Sequence, residues 1–178
     1  MKKLLTIVLT IVVIVALFYT FQNKFINQNT GVQEGGKFEP DPSNSTFIFD
    51  DSKVTLSNGR GEEKSEDEIP FETILLKERA SGDLNMDDKN DTVVLLTRSG
   101  GGSGTFIYIA AYVSGPISYK GTNAVFIGDR ISPRLVTIED GVATMKYLDR
   151  RDDEPFAAEP TVPVSKQFVY KNGEFVER

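Results

Sequence analysis

The chain has 178 residues, no cysteine, no histidine and a formal net charge of −6. Without Cys or His it has no disulfide, no Cys or His nucleophile, no Ser-His-Asp triad and no ordinary zinc site. The acidic balance argues against nucleic acid and anionic lipid surfaces as partners and favours cations.

The first element is an uncharged apolar run, LLTIVLTIVVIVALFYTF, over residues 4–21. As a helix it would be about 27 Å long, close to the thickness of a bilayer's hydrocarbon core. Lys2 and Lys3 precede it, so the positive-inside rule keeps the N-terminus in the cytoplasm and exports the rest. Phe18, Tyr19 and Phe21 would lie near the outer interface as aromatic anchors. A cleaved signal would end in small residues. Here the end reads ALFYTFQNKF, which favours an uncleaved single-pass anchor in the cytoplasmic membrane. The C-terminal part is then extracytoplasmic, in a periplasm or at the cell surface. Without Lys2 and Lys3 the basic count falls from 20 to 18 against 26 acidic residues, so that part carries about −8.

Residues 22–45 are rich in Asn, Gln, Gly and Pro, without apolar period, and read as a flexible tether. Residues 46–178 read as one domain. TFIFD (46–50) and KVTLS (53–57) predict a hairpin about Asp51 and Ser52. GRGEEKSEDE (59–68) reads as a charged, exposed loop, and ETILLKER (72–79) as a strand. TVVLLT (92–97) is a continuous β-branched and apolar run, the pattern of a strand buried on both faces. TFIYIAAYV (105–113) is similar, and NAVFIG (123–128) is a shorter strand. Asp140-Gly141 and Asn172-Gly173 each separate two strand patterns and suit type I′ hairpin turns. Residues 149–163, with three prolines, read as a long loop. The sum is an all-β fold after an N-terminal transmembrane helix, a sandwich or a barrel-like antiparallel sheet. An α+β fold with a short helix near residues 65–71 is the second choice.

The chemistry-bearing stretch is SGDLNMDDKNDTVVLL, residues 81–96. Asp83, Asn85, Asp87, Lys89 and Asp91 occupy alternate positions 1, 3, 5, 7 and 9 of a loop. Calcium takes six to eight hard oxygen ligands, and such a loop supplies them from side chains at 1, 3, 5 and 9 and a backbone carbonyl at 7. Position 12 is Val94, so the EF-hand pattern is incomplete. The same residue types also make ordinary polar turns, through side-chain bonds to nearby amides.

GDLNMDDKNDTVVLL resembles the D-x-[DN]-x-D-G-x-x-D calcium loops of FG-GAP, integrin-type and dockerin-like repeats. The resemblance implies calcium held by Asp83, Asn85, Asp87, Asp91 and the Lys89 carbonyl. The glycines that those loops place at positions 4 and 6 are Met86 and Asp88 here. The wider order from that loop through GGSGTFIYIAA, IGDRI and the Asp140-Gly141 hairpin is similar to a domain of uncharacterised bacterial envelope proteins and lipoproteins. That likeness implies an exported β-domain and brings no activity with it.

Other features carry less. RSGGGSGTF (98–106) fits neither a phosphate loop nor a nucleophile elbow, and reads as a connection whose glycines serve positive φ. Asp152, Asp153 and Glu154 read as a solvated loop, and Asp129-Arg130 as a turn ion pair. The chain is therefore expected to be no enzyme but a calcium-binding interaction module with a protein or glycan partner at the envelope. The alternatives are a carboxylate-dependent hydrolase of envelope glycans and a purely structural domain without ligand.

Overall fold

The computed structural model describes residues 32–34, 37–50, 52–63 and 70–178. The 4–21 run, half of the tether and most of the 65–71 helix expectation lie outside the described residues. Within them the protein is all-β, and no helix occurs.

The strands are β1 (Val32–Glu34), β2 (Lys37–Glu39), β3 (Thr46–Ile48), β4 (Lys53–Thr55), β5 (Arg60–Glu63), β6 (Phe71–Gly82), β7 (Asp91–Ser99) and β8 (Phe106–Val113). They continue as β9 (Lys120–Gly121), β10 (Val125–Asp129), β11 (Ser132–Glu139), β12 (Val142–Asp149), β13 (Val162–Lys171) and β14 (Glu174–Glu177). A central antiparallel sheet has the order β10-β8-β7-β6-β5, with β9 also on the outer edge of β8. A second sheet is the meander β11-β12-β13-β14, and β1-β2 and β3-β4 are separate hairpins.

The core follows from the pleat. Successive side chains of β7 point to opposite faces. Val93 and Leu95 enter the main core, where Ile107 and Ile109 of β8 meet Val136, Met145, Tyr147, Phe168 and Phe175 of the second sheet. Val94 and Leu96 enter the other core, beneath Phe47, Phe49, Val54 and Leu56 of the β3-β4 hairpin and its flanks. The central sheet is thus covered on both faces, which is why residues 92–97 carry no polar alternation. Truncating one of these fully buried leucines to alanine would cost about 2–5 kcal/mol.

Asp140 and Gly141 have φ of 50° and 73°, and Asn172 and Gly173 have 55° and 88°, as two-residue type I′ turns require. A third such turn was not predicted. Asn58 and Gly59, with φ of 52° and 80°, bring Ser57 opposite Arg60. The expected charged loop at 59–68 is therefore corrected over its first part. Residues 60–63 are strand β5, paired with β6 from Arg60↔Ile74 to Glu63↔Phe71. Its charges suit an outermost strand, where they discourage pairing with another chain.

Residues 38–45, inside the stretch read as a tether, also pack on the fold. Pro40 and Pro42 are buried. The Thr92 hydroxyl donates to the Pro40 carbonyl at 2.9 Å, and the Gly59 amide to the Ser43 carbonyl at 2.8 Å. Proline removes a donor that burial would otherwise leave to be satisfied, so this Pro-containing stretch lies against the sheet at little polar cost.

The glycines of the 100–104 connection differ from expectation in their reason. None of them is left-handed. A Cβ on Gly100 would come within 3.0 Å of the Phe71 ring, and one on Gly104 within 2.8 Å of the Phe106 ring. Aromatic rings lying over the backbone, not positive φ, crowd the space a side chain would take at Gly100 and Gly104.

Candidate functional site

The acidic loop joins β6 to β7 as residues 83–90, and its ends are paired at Gly82↔Asp91. Leu84 points inward and is buried in the main core, which pins the start of the loop. The polar side chains then fold back on the loop's own amides. The Asp83 carboxylate accepts from the amide of Asp87 at 3.1 Å and that of Asp88 at 2.8 Å. The Asn85 side-chain oxygen accepts from the same Asp87 amide at 3.1 Å. The Asp87 carboxylate accepts from the Lys89 amide at 3.1 Å and from the Ser114 hydroxyl. These are Asx-type bonds, which hold a short segment in a turn without a ladder partner.

Two loop residues pay a backbone cost: Met86 has φ of 62° and Asp88 of 64°. They are positions 4 and 6, where the resembling calcium loops carry glycine. Left-handed backbone is costly for Met86 and better tolerated by Asp88, whose short polar side chain suits it.

Asp91 is the buried end of the site and is fully inaccessible to solvent. One of its oxygens accepts from the amides of Leu84 and Asn85 at 2.9 and 3.1 Å. The other accepts from the Ser114 amide at 2.7 Å. Burial pushes its pKa up, and these amides pull it back in part. Asp87 behaves oppositely. The Ser114 hydroxyl bond is the main reason that its pKa lies below the usual carboxylate value, with burial opposing. Burial raises the pKa of nearby Tyr119, and the charges of Asp91 and Asp87 add to that rise.

The loop thus places Asp83, Asn85 and Asp87 around its own turn, with Asp91 beneath and the Lys89 amine 3.6 Å from the Asp87 carboxylate. Among the described residues no three acidic side chains stand close enough to share an ion. The oxygens that would serve a cation are those of Asp83, Asn85 and Asp87, which now accept loop amides. Asp91 has three N–H donors on its two oxygens.

Sequence reasoning missed Ser114. It follows β8, far along the chain, and it links three of the five expected residues. Its amide serves Asp91, its hydroxyl serves Asp87, and its hydroxyl and carbonyl oxygens accept from the Asn85 side-chain amide at 3.0 and 3.1 Å. Nothing in a lone serine before Gly-Pro marks that role. Tyr119 was missed in the same way, although its hydroxyl donates to the Asn90 carbonyl at 2.9 Å.

The lesser candidates resolve into structural roles. Asp129 accepts from the Thr105 amide at 2.9 Å and pairs with Arg130 at 2.8 Å, and the Arg130 hydrogen bond is the main cause of its lowered pKa. Glu154 pairs with Arg151 at 3.4 Å on the surface. Arg98, not singled out from sequence, is buried between the rings of Phe49 and Phe71 at 5.1 and 4.6 Å, and pairs with Glu63 at 2.7 Å.

In comparison with known proteins, no family model, no curated protein and no solved structure matches the chain.

Proposed function

We propose that this is a single-pass protein of the cytoplasmic membrane whose extracytoplasmic β-domain is a binding module, braced by calcium in the 83–91 loop. The observation that carries the calcium reading is the backbone. Met86 and Asp88 adopt left-handed φ at the two positions where comparable loops carry glycine, with Asp83 and Asn85 oxygens turned on the amide of Asp87. Calcium would exchange these neutral amide donors for a divalent charge, using Asp83, Asn85, Asp87, the Lys89 carbonyl and, if it releases a donor, Asp91. Outside the cytoplasm a site of about 10⁻⁴–10⁻³ M is strong enough to be filled. The module's partner would be a protein or glycan of the envelope.

Titration of the full chain in detergent, by calorimetry and thermal unfolding, tests the calcium reading. With Kd of about 1 mM, about 10 mM calcium adds roughly 1.4 kcal/mol of stability. Magnesium should do far less, because it demands a tighter octahedron. No heat and no change in melting temperature would overturn the reading.

A second reading, a loop closed without ion, rests on the three amides that already occupy Asp91. It expects that null titration, together with a loss of stability when Asp91 is replaced.

A further inference from the structure

We propose that the end of the β-domain carrying the 83–91 loop docks onto a lipid bilayer through Ile117 and Met86. Ile117 is 98 % exposed and Met86 is 77 % exposed, the two most exposed large apolar residues described. Phe156, the next most exposed, is shielded on one side by the Arg130 guanidinium at 4.9 Å. Neither Ile117 nor Met86 is exposed by being loose. Residues 115–118 form a tight tip, in which a Cβ on Gly115 would lie 2.8 Å from the Ser118 carbonyl oxygen. The stem of that tip is tied to the acidic loop on both sides. Ser114 bonds Asn85, Asp87 and Asp91, and the Tyr119 hydroxyl bonds the Asn90 carbonyl. Met86 stands on a left-handed backbone, and one side of its side chain lies along the Asp140-Gly141 turn, where a Cβ on Gly141 would be 3.2 Å from its Cγ. Ile117 on its tied tip and Met86 on the neighbouring loop give this end of the domain apolar side chains suited to the interfacial zone of a bilayer.

The occupant follows from the chain outside the described residues. The apolar run 4–21 ends sixteen residues before Phe38, from 22 to 37. Phe38 belongs to this same end: its ring centroid is 6.0 Å from that of Tyr119, and its carbonyl accepts from the Asn90 side chain at 2.9 Å. A bilayer that holds the run is therefore in reach of the docking end, and the connection raises the effective concentration of lipid at that end. The neighbouring carboxylates of Asp83, Asp87 and Asp88 favour a zwitterionic headgroup over an anionic one. The inference rests on the anchor reading of residues 4–21 and not on the calcium reading.

The chain has no cysteine, so single probes can be placed at will. The full chain is reconstituted in phosphatidylcholine nanodiscs with Ile117→Cys, Met86→Cys, Ser103→Cys or Thr10→Cys carrying an environment-sensitive fluorophore. Ser103 is exposed in the connection at the other end of β7. Probes at 117 and 86 should shift to the blue and be quenched by spin-labelled lipid, while the probe at 103 stays aqueous. Ile117→Ser should lower quenching of the probe at 86, with the docked-to-free ratio falling roughly tenfold or more. An aqueous probe at 117 with a lipid-quenched probe at 10 overturns docking and leaves the anchor standing. An aqueous probe at 10 overturns the anchor and docking with it. A blue shift at 117 without lipid quenching marks a protein contact instead, and also overturns the proposal.

Discussion

The two ends of β7 are built on opposite principles. Before it, the 83–90 loop is made of side chains that bond its own backbone, with two non-glycine residues in left-handed conformation. After it, the 100–104 connection has no left-handed glycine, and its glycines at 100 and 104 give way to the rings of Phe71 and Phe106. It is held from outside at its far end, where Thr105 bonds Asp129 and Arg130. Polar turn residues create a local shape by bonding inward, whereas glycines accept a shape that neighbours impose. Only the first kind concentrates oxygen atoms, so only the first offers a cation something to bind.

The sharpest way to break that contrast is Asp91→Ala. It leaves the buried amides of Leu84 and Ser114 and the half-buried amide of Asn85 without their acceptor, and should cost about 3 kcal/mol in chemical unfolding. Asp91→Asn keeps one acceptor oxygen and should cost less. If both variants unfold like the parent, the loop is not organised from Asp91.

At the other end, Gly104→Ala should cost about 1–2 kcal/mol, because its Cβ meets the Phe106 ring at 2.8 Å. Gly102→Ala meets nothing within 4 Å and should be neutral or slightly stabilising, by up to about 1 kcal/mol through the unfolded chain. Equal effects at the two positions would show that packing does not distinguish these glycines.

A modest destabilisation is expected from Ser114→Ala, at about 1 kcal/mol, and its signature is pH dependence. The folded pKa of Asp87 lies below its ordinary value of 3.8. Its contribution is therefore fully present above the unfolded pKa and is lost as pH falls through the folded one. Asp129 contributes with the same sign, through Arg130. Asp91, raised by burial, has the opposite sign, and stability from it declines as pH rises from 3.8 through its folded value. Removing the Ser114 hydroxyl returns Asp87 toward its ordinary value, so unfolding followed from about pH 5 to about pH 2 should show a shallower acid loss. An unchanged profile would mean that the hydroxyl does not set the Asp87 charge.

Where the sequence was legible, the signals were local. Asp140-Gly141 and Asn172-Gly173 carry their turn type in two residues, and the unbroken run at 92–97 states that both faces of its strand are covered. Asn58-Gly59 carried the same signal, but the charges after it pointed to a loop. Only pairing with β6 shows that Arg60–Glu63 is a strand. The alternation of Asp83, Asn85, Asp87, Lys89 and Asp91 was equally plain, and so was the turn that these residues make. Their partners were not, since Ser114 lies 23 residues beyond Asp91.

By itself, then, the sequence determined strand content, three of its hairpins, and a loop dense in oxygen atoms, because each depends on residues close along the chain. Tertiary structure decided which side of the loop is buried, that Ser114 locks it, that rings crowd the space beside Gly100 and Gly104, and that Ile117 and Met86 project from one end. These depend on chain segments meeting in space, where burial and hydrogen-bond distance, not residue order, set the energies.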